Sequence, residues 1–264
     1  MDDAILLRED AGGIATLTLN APAKLNALSD AMLAALADQI EKLGENTSTR
    51  VVILKGAGKA FCAGHDLKEM TAKRQAEDGG VAAVRDLFDR CAAVMTGLQA
   101  LPQPVIAQAH GIATAAGCQL VASADLAVAT EGTRFGVNGV NIGLFCSTPM
   151  VALSRNVPRK RAFEMLTTGE FISAEHAAEL GLVNRVVPEE DLEAATRELA
   201  DTIAAKLGSA VRIGKRAFYE QIQMPLNEAY RYTGDVMVEN MMNRDTDEGI
   251  RAFLDKRPPE WGQD

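Results

Sequence analysis

The sequence predicts an α/β fold of stacked β-β-α units followed by a helical C-terminal region. Three observations carry this. Short apolar runs bounded by glycine and proline recur between amphipathic stretches of helical period through the first half of the chain. That recurrence belongs to layered β and α units rather than to an antiparallel sandwich. From about Thr148 onward the pattern becomes predominantly helical, with one strand-like break at Val183-Asn184-Arg185-Val186-Val187. At 264 residues the chain is near the upper end for one core. We therefore expect an α/β core over residues 1–200 and a smaller helical appendage over 201–264.

The elements follow in order. Ile14-Ala15-Thr16-Leu17-Thr18-Leu19 alternates as a strand does and pairs with Ile5-Leu6-Leu7 across the Gly12-Gly13 turn. Ser29 is a fitting N-cap for a helix that shares Met32, Leu33, Leu36, Ile40 and Leu43 on one face and stops at Gly44. Val51 to Leu54 reads as a buried strand. Val81 to Leu98 keeps helical spacing until Pro102 and Pro104 end it. Pro104 to Ala107 and Leu126 to Ala129 are further strands, separated by a helix that runs through Val121. Helices are expected over 190–207, 209–222, 227–243 and 247–256. The last of these carry Met237, Val238, Met241 and Met242, more apolar surface than a solvated appendage needs, so they pack on their own core or on another subunit.

Composition removes several classes of function. The net charge of −9 argues against a general nucleic-acid binder, because neutralising phosphates needs a concentrated basic surface. The compact basic cluster Arg155, Arg159, Lys160 and Arg161 reads as a solvated helix face, with a local phosphate contact as the alternative. Met1 to Asp10 has no basic stretch leading into an apolar one, so no secretory signal is expected, and no run approaches the roughly 20 apolar residues of a membrane span. Cys62, Cys91, Cys118 and Cys146 form neither a C-x-x-C pair nor a zinc pattern. Buried free thiols in a reducing cytoplasm are the expectation, and cytoplasmic is the expected location.

Two stretches carry chemistry, Ala60 to Met70 and Gly111 to Leu120. Each places small residues at a passage from strand to helix, where a ligand can approach the main chain and where the first N–H groups of a helix lack partners. Such donors can stabilise a developing oxyanion. Taken singly, each passage reads equally as close packing of a helix on a sheet.

Together with Lys24-Leu25-Asn26-Ala27-Leu28 upstream and Phe135-Gly136 downstream, the two stretches resemble the crotonase (enoyl-CoA hydratase/isomerase) superfamily, in family order from about Ile14 to Phe253. The resemblance implies a crotonase-like spiral of β-β-α units with a helical C-terminal trimerisation region. It implies an acyl-CoA thioester as ligand, coenzyme A arriving as part of the substrate, and a homotrimer or a hexamer made as a dimer of trimers. No metal, flavin or nucleotide redox cofactor is called for, and neither nucleic acid nor membrane is an expected partner.

The resemblance puts the two oxyanion donors on the backbone N–H groups of His65 and Ala116. It implies contact with the substrate or its coenzyme A from Lys24, Leu25, Ala27, Ala63, His65, Asp66, Leu67, Lys68, Ala116, Gly117, Asn138 and Gly139, with the adenine end near Lys24 to Leu28. Phe253 and Lys256 match residues that reach a neighbouring subunit's coenzyme A. The family hydratases complete the site with two glutamates that activate water. Those positions match Gln119 and Gly139 here, so the expectation is a lyase or isomerase of this type whose ordinary hydratase activity is in doubt. A different crotonase reaction and a noncatalytic acyl-CoA sensor remain as alternatives.

Several side chains keep two readings. The His65 imidazole either takes part in proton transfer or points into the protein. Gln119 either faces the acyl pocket or bonds a loop carbonyl. Asn138 and Asn141 either hold water or an acyl substituent beside Gly139, or serve the turn. Cys146-Ser147-Thr148-Pro149 reads as a helix start more than as a nucleophile. Asp66 shapes its loop through a nearby N–H or cation.

Overall fold

The chain opens with an antiparallel hairpin of β1 (Leu6–Ala11) and β2 (Ile14–Leu19), turned by Gly12 and Gly13, both at positive φ. The computed structural model describes residues 4–262, so Met1 to Asp3 of the leader expectation lie outside the described residues. Ser29 caps α1 (Asp30–Gly44) as its position predicts, its hydroxyl oxygen accepting from the Met32 N–H at 3.2 Å. Gly44 is the last residue of the helix, not a left-handed stop. The chain turns away at Asn46, whose side-chain oxygen accepts from the N–H groups of Ser48 and Thr49.

The core continues through β3 (Val51–Gly56), α2 (Leu67–Lys73), α3 (Val81–Ala100), β4 (Val105–Ala109), β5 (Ile112–Thr114), α4 (Ala116–Ser123), β6 (Leu126–Thr130) and β7 (Arg134–Gly136). It then turns helical through α5 (Pro149–Asn156), α6 (Arg159–Thr168) and α7 (Ala174–Glu179). The strand β8 (Ile172–Ser173) comes before α7 and β9 (Arg185–Val187) after it. Four helices follow: α8 (Leu192–Ala204), α9 (Gly208–Gln221), α10 (Leu226–Met241) and α11 (Arg244–Leu254). The expected 190–207 helix is shorter at both ends, because Glu189 to Asp191 form a separate tight turn.

Two sheets organise these elements. The larger has the order β1-β2-β3-β4-β6-β9 and is parallel from β2 onward. The smaller has the order β5-β7-β8, and isolated parallel bridges, Cys62 to Ala113 and Leu28 to His65, extend the same layer backwards. Each turn of the chain thus lays a strand in the large sheet and a short extended segment in the second layer, then a helix. This is the expected β-β-α repeat. A parallel sheet covered on both faces has continuous apolar strands, which is why Val51 to Leu54 is buried throughout. On one face Leu17, Leu54 and Ala107 join the main core with α1, α3 and α4. On the other, Ile14, Val51, Ile53, Ile106 and Val128 are covered by Leu192 and Ala200 of α8. The expected division at 200/201 falls inside this sheet-covering helix.

A buried polar knot ties α9 to the core. The Lys215 ammonium donates to the carbonyls of Leu98 and Gln103, both at 2.9 Å, and pairs with Asp125 at 2.7 Å. Asp125 also accepts from the Tyr219 hydroxyl at 2.8 Å and from the Val105 N–H at 2.6 Å. Burial pushes the Lys215 ammonium below its ordinary range while the Asp125 charge opposes that shift. In contrast, α10 buries only Ala229, and Leu226, Tyr230, Met237, Val238, Met241 and Met242 are exposed on the single chain. Among the described residues no helix is long and apolar enough to cross a membrane.

Removing one partner of a buried ion pair strands the other charge, at a cost of about 3–5 kcal/mol. Lys215→Met is therefore expected to lower the unfolding free energy on that scale, read from the denaturant midpoint. A change within about 0.5 kcal/mol, the level of an ordinary surface substitution, would show that the knot does not anchor α9.

Candidate functional site

Three segments meet beside the second layer: the loop 21–28, the loop 57–66 and the passage from β5 into α4. The first two are strapped together by Asn26, which is fully buried. Its side-chain oxygen accepts from the Ala21 N–H at 2.9 Å, and its amide nitrogen donates to the carbonyls of Ala57 and Ala60 at 2.8 Å. Leu25 and Asn26 both have positive φ, 51° and 53°, a turn that asparagine tolerates and that aims its side chain inward. Main-chain bonds from Ala63 to Leu25 and from Leu28 to Gly64 complete the strap.

The second and third segments touch backbone to backbone. The Cys62 N–H donates to Ile112, and the Thr114 N–H donates to Cys62. Gly117 lies so close that a Cβ there would collide with the Cys62 carbonyl. A Cβ built on Gly64 would lie 3.4 Å from the Ala116 nitrogen. In the parallel bridge with Leu28 it is Gly64 and Asp66 that make the hydrogen bonds, which turns the His65 N–H to the opposite side. Ala116 is the first residue of α4, where a helix leaves its N–H groups unpaired. Neither the His65 nor the Ala116 N–H has an acceptor among the described residues. Ala115 precedes that free N–H at φ 49° and ψ −118°, a conformation costly for a residue with a Cβ. The neighbouring bond from its own N–H to Gly136 at 2.9 Å helps hold it there.

Side chains around these donors separate by charge. At the rim, Asp66 accepts from the N–H groups of Lys68 and Glu69 as the cap of α2 and pairs with Lys24 at 3.0 Å. The Lys24 hydrogen bond holds the Asp66 carboxyl below the usual carboxylate range. This is the loop-shaping role expected of it. Lys24, Leu67 and Lys68 are exposed, Leu25 and Ala63 half-buried, and Ala27 buried. The His65 imidazole turns into the protein. Its ring meets Phe88 edge to face with centroids 5.7 Å apart, and Nδ1 lies 3.4 Å from the Leu28 carbonyl. Burial lowers its pKa from 6.5, so the ring is neutral at neutral pH, and Nε2 is buried without a partner among the described residues.

Further in, Gln119 is 5 % exposed and its side-chain oxygen has no partner among the described residues. The Asn138 side-chain oxygen accepts from the Thr114 hydroxyl at 2.7 Å, so this asparagine joins the β5 end of the site and not merely its own turn. Asn141 does serve structure, donating to the Gly169 carbonyl at 3.3 Å. At Gly139 a Cβ would collide with the Leu144 carbonyl and stand 2.8 Å from the Cys146 sulfur. Burial pushes the thiols of Cys62 and Cys118 up to about 12, that of Cys91 to about 11, and that of Cys146 upward as well. All four cysteines are free and buried, and Cys146 is a packed thiol beneath the turn rather than an ionised nucleophile. Pro149 starts α5 without a hydrogen bond from the Thr148 side chain.

Lys24 to Leu28, Ala63 to Lys68, Ala116, Gly117, Gln119, Asn138 and Gly139 thus fall on connected segments. Phe253 and Lys256 take no part in the bonds and bridges that join those segments. They lie at the end of α11, where Phe253 is 82 % exposed. The sequence reading missed Asn26, Thr114 and Ala115 as site-forming residues. Asn26 had a signal, a lone amide inside an apolar loop, whereas the backbone strain at Ala115 has none in its side chain.

Comparison with known proteins bears on this arrangement. The enoyl-CoA hydratase/isomerase family profile matches residues 9–264. The mitochondrial enoyl-CoA hydratase domain-containing protein 3 of Xenopus laevis is 48% identical over 94% of this chain and 83% of its own. A crystal structure of an enoyl-CoA hydratase of Mycobacterium smegmatis superposes with a TM-score of 0.94 at 55% identity, covering 97% of this chain and 98% of its own. The human enoyl Coenzyme A hydratase domain-containing protein 3 superposes at 0.93 and 45% identity, covering 97% and 100%. These relatives correct the cytoplasmic expectation. The counterparts from Xenopus laevis, Mus musculus, Homo sapiens and Danio rerio are all named mitochondrial. Separated buried thiols report a reducing surrounding and cannot tell one reducing compartment from another. With its fold, its segment order and nearly its whole length matched, the chain belongs to the enoyl-CoA hydratase/isomerase family.

Proposed function

We propose that this protein binds an acyl-CoA thioester with the carbonyl oxygen between the N–H groups of His65 and Ala116, and acts on the carbons next to that carbonyl. The observation that carries the reading is the pair of acceptor-free N–H groups on two segments packed backbone to backbone. A carbonyl held by two fixed donors takes on enolate character, which eases addition, elimination or isomerisation beside it. The substrate brings coenzyme A, and the reading uses no other cofactor. Lys24, Leu25 and Ala27 would meet the coenzyme, with Asp66 and Lys68 at the same rim.

Gln119 and Gly139 stand where the family hydratases carry their two glutamates. An amide cannot take a proton at neutral pH, and glycine has no side chain. Water addition by two carboxylates is therefore not the reaction proposed. Isomerisation or another transformation of the polarised thioester is favoured, and the neutral, inward-turned His65 ring argues for a backbone role at that position. We also propose that residues 201–264 assemble the chain into a trimer, or a hexamer of two trimers, through the exposed apolar residues of α10 and α11. Phe253 and Lys256 would then reach a neighbour's coenzyme A.

Incubation with a panel of acyl-CoA thioesters, read by mass spectrometry, tests the function, and unchanged recovery of every thioester would leave only a binding role. Proline is tolerated at the first position of a helix but has no N–H. Ala116→Pro is expected to reduce turnover by about 10²–10³, the usual effect of removing one oxyanion donor, while Ala116→Gly keeps the N–H and the activity. Equal activity in the two variants would refute the grip. Gly139→Glu is expected to lower the melting temperature and give no crotonyl-CoA hydration, because the new side chain meets the Leu144 carbonyl. A well-folded, hydrating variant would overturn that reading. Sedimentation velocity should give a trimer or hexamer, and a monomer at micromolar concentration would dismiss the assembly.

A further inference from the structure

The proposed reach into a neighbour's site starts from the end of α11, a helix with little packing of its own to hold it. It buries only Asp245 and Ala252, while Ile250, Phe253 and Leu254 are exposed on the single chain. A helix with so small a buried face takes its orientation from polar contacts and from its ends. Its start is pinned by Asn243, whose side-chain oxygen accepts from the Asp245 N–H and whose amide nitrogen donates to the Ser209 hydroxyl at 3.2 Å.

The other end stops in a left-handed turn at Lys256, φ 55°. The Arg257 N–H donates to the Ala252 carbonyl at 3.0 Å and the Lys256 N–H to that of Phe253 at 3.2 Å, the pair of bonds that closes a helix through a left-handed residue. Glycine is the usual occupant of that position, and a residue with a Cβ persists there where its surroundings over-determine the backbone. Here the surroundings are the tail 257–262, which doubles back along the helix. The Arg257 guanidinium makes a two-pronged pair with Glu248 at 2.7 and 2.9 Å, and the same carboxylate accepts from the Glu260 N–H at 2.9 Å. The Arg257 hydrogen bond, with that of Glu260, pushes the Glu248 carboxyl down to about 2. Trp261 lies against Gly249, where a Cβ would stand 3.0 Å from its ring, and its indole N–H donates to the Ala205 carbonyl at 3.1 Å. Ala205 closes α8, the helix that covers the large sheet.

We propose that Glu248, Arg257 and Trp261 are positioning residues of the coenzyme site: they clasp the tail onto α11 and so aim the Lys256 ammonium, with Phe253, at the phosphate-bearing coenzyme of a neighbouring subunit. The inference rests on the acyl-CoA and assembly reading above. Rigidity passes outward from the sheet. Trp261 ties the tail to α8, and the Glu248–Arg257 pair ties the tail to α11. A bidentate arginine–carboxylate pair fixes orientation as well as distance. Arg257 also supplies the N–H that closes the turn, so releasing its guanidinium loosens the backbone that orients Lys256. A lysine on a long flexible stem gains from a fixed backbone, because less freedom is then lost on binding.

Isothermal titration of the full-length protein with coenzyme A tests this. Lys256→Ala is expected to weaken binding about tenfold, the scale of one charge-assisted hydrogen bond. Glu248→Ala should weaken it by a similar factor in the native background and by less than about twofold in a Lys256→Ala background, because its effect passes through Lys256. Arg257→Gln, which leaves Glu248 bonded to the Glu260 N–H, is the milder break and should act in the same direction. Trp261 is the one tryptophan of the chain, so its emission should move to longer wavelength in both clasp variants. Sedimentation velocity checks that the variants assemble as the native protein does, and Arg257→Gln takes the place of Glu248→Ala in the cycle if the latter does not. An unshifted emission, native affinity in both clasp variants, or a loss that multiplies in full with that of Lys256→Ala would overturn the assignment while leaving the acyl-CoA reading intact. Native affinity in Lys256→Ala would remove the residue being positioned and the inference with it. If the native protein fails to bind coenzyme A, the acyl-CoA reading falls and this one falls with it.

Discussion

The contact on which the site depends is the approach of Gly117 to the carbonyl of Cys62. No other residue type fits there, because a Cβ would lie inside the contact distance of that oxygen. The approach brings the start of α4 against the end of the preceding unit's extended segment. The bridge between Cys62 and Ala113 then fixes their register. Both free N–H groups owe their positions to it. His65 follows Cys62 in the segment that its own bridge to Leu28 holds in place, and Ala116 begins the helix that starts just after Ala113. A wider gap would separate the two donors and leave only an ordinary helix start.

Energy is concentrated around this contact in a consistent way. Ala115 holds a conformation that costs about 1–3 kcal/mol for a residue with a side chain. It is retained because β5, β7 and the core under α4 over-determine the backbone there: Ala115 bonds Gly136, Thr114 pairs with Gly136 in the second sheet, and every residue of α4 is buried. Asn26 plays the same part for the loop above, spending all three of its side-chain bonds on main-chain groups within the described residues. The flexible-looking glycine and alanine runs are thus among the best restrained parts of the chain.

Much of this was legible in the sequence, and the reason is local chemistry. Gly12-Gly13, Ser29 before an amphipathic run, and Pro102 with Pro104 each act through their own backbone preferences, and each element fell where those preferences place it. The paired small-residue passages were legible only as a combination, since either one alone reads as packing. What stayed hidden depends on long-range geometry. The burial of Gln119 and the bond from Thr114 to Asn138 require α4 and the 136–139 turn to be adjacent, and nothing in either segment announces the other. The end of α1, by contrast, was legible from local chemistry: the helix stops at Gly44, and the asparagine two residues later makes the turn.

Under the proposed function, the lack of a carboxylate pair is better understood from Gly139 than from Gln119. Glutamine and glutamate are nearly the same size, so position 119 alone could be exchanged with little change in packing. Position 139 is different. The turn has closed onto it, with the Leu144 N–H donating to the Gly139 carbonyl at 2.9 Å and Cys146 packed beneath. A site that keeps charged groups at its rim, Lys24 with Asp66 and the nearby Lys68, and neutral amides and thiols within avoids the desolvation that a buried carboxylate pair incurs. It also gives up the base that such a pair provides. Under the proposed function, the work left to the interior is to hold the carbonyl, orient the acyl chain and exclude water, and the rim charges lie where a phosphate-bearing coenzyme would enter.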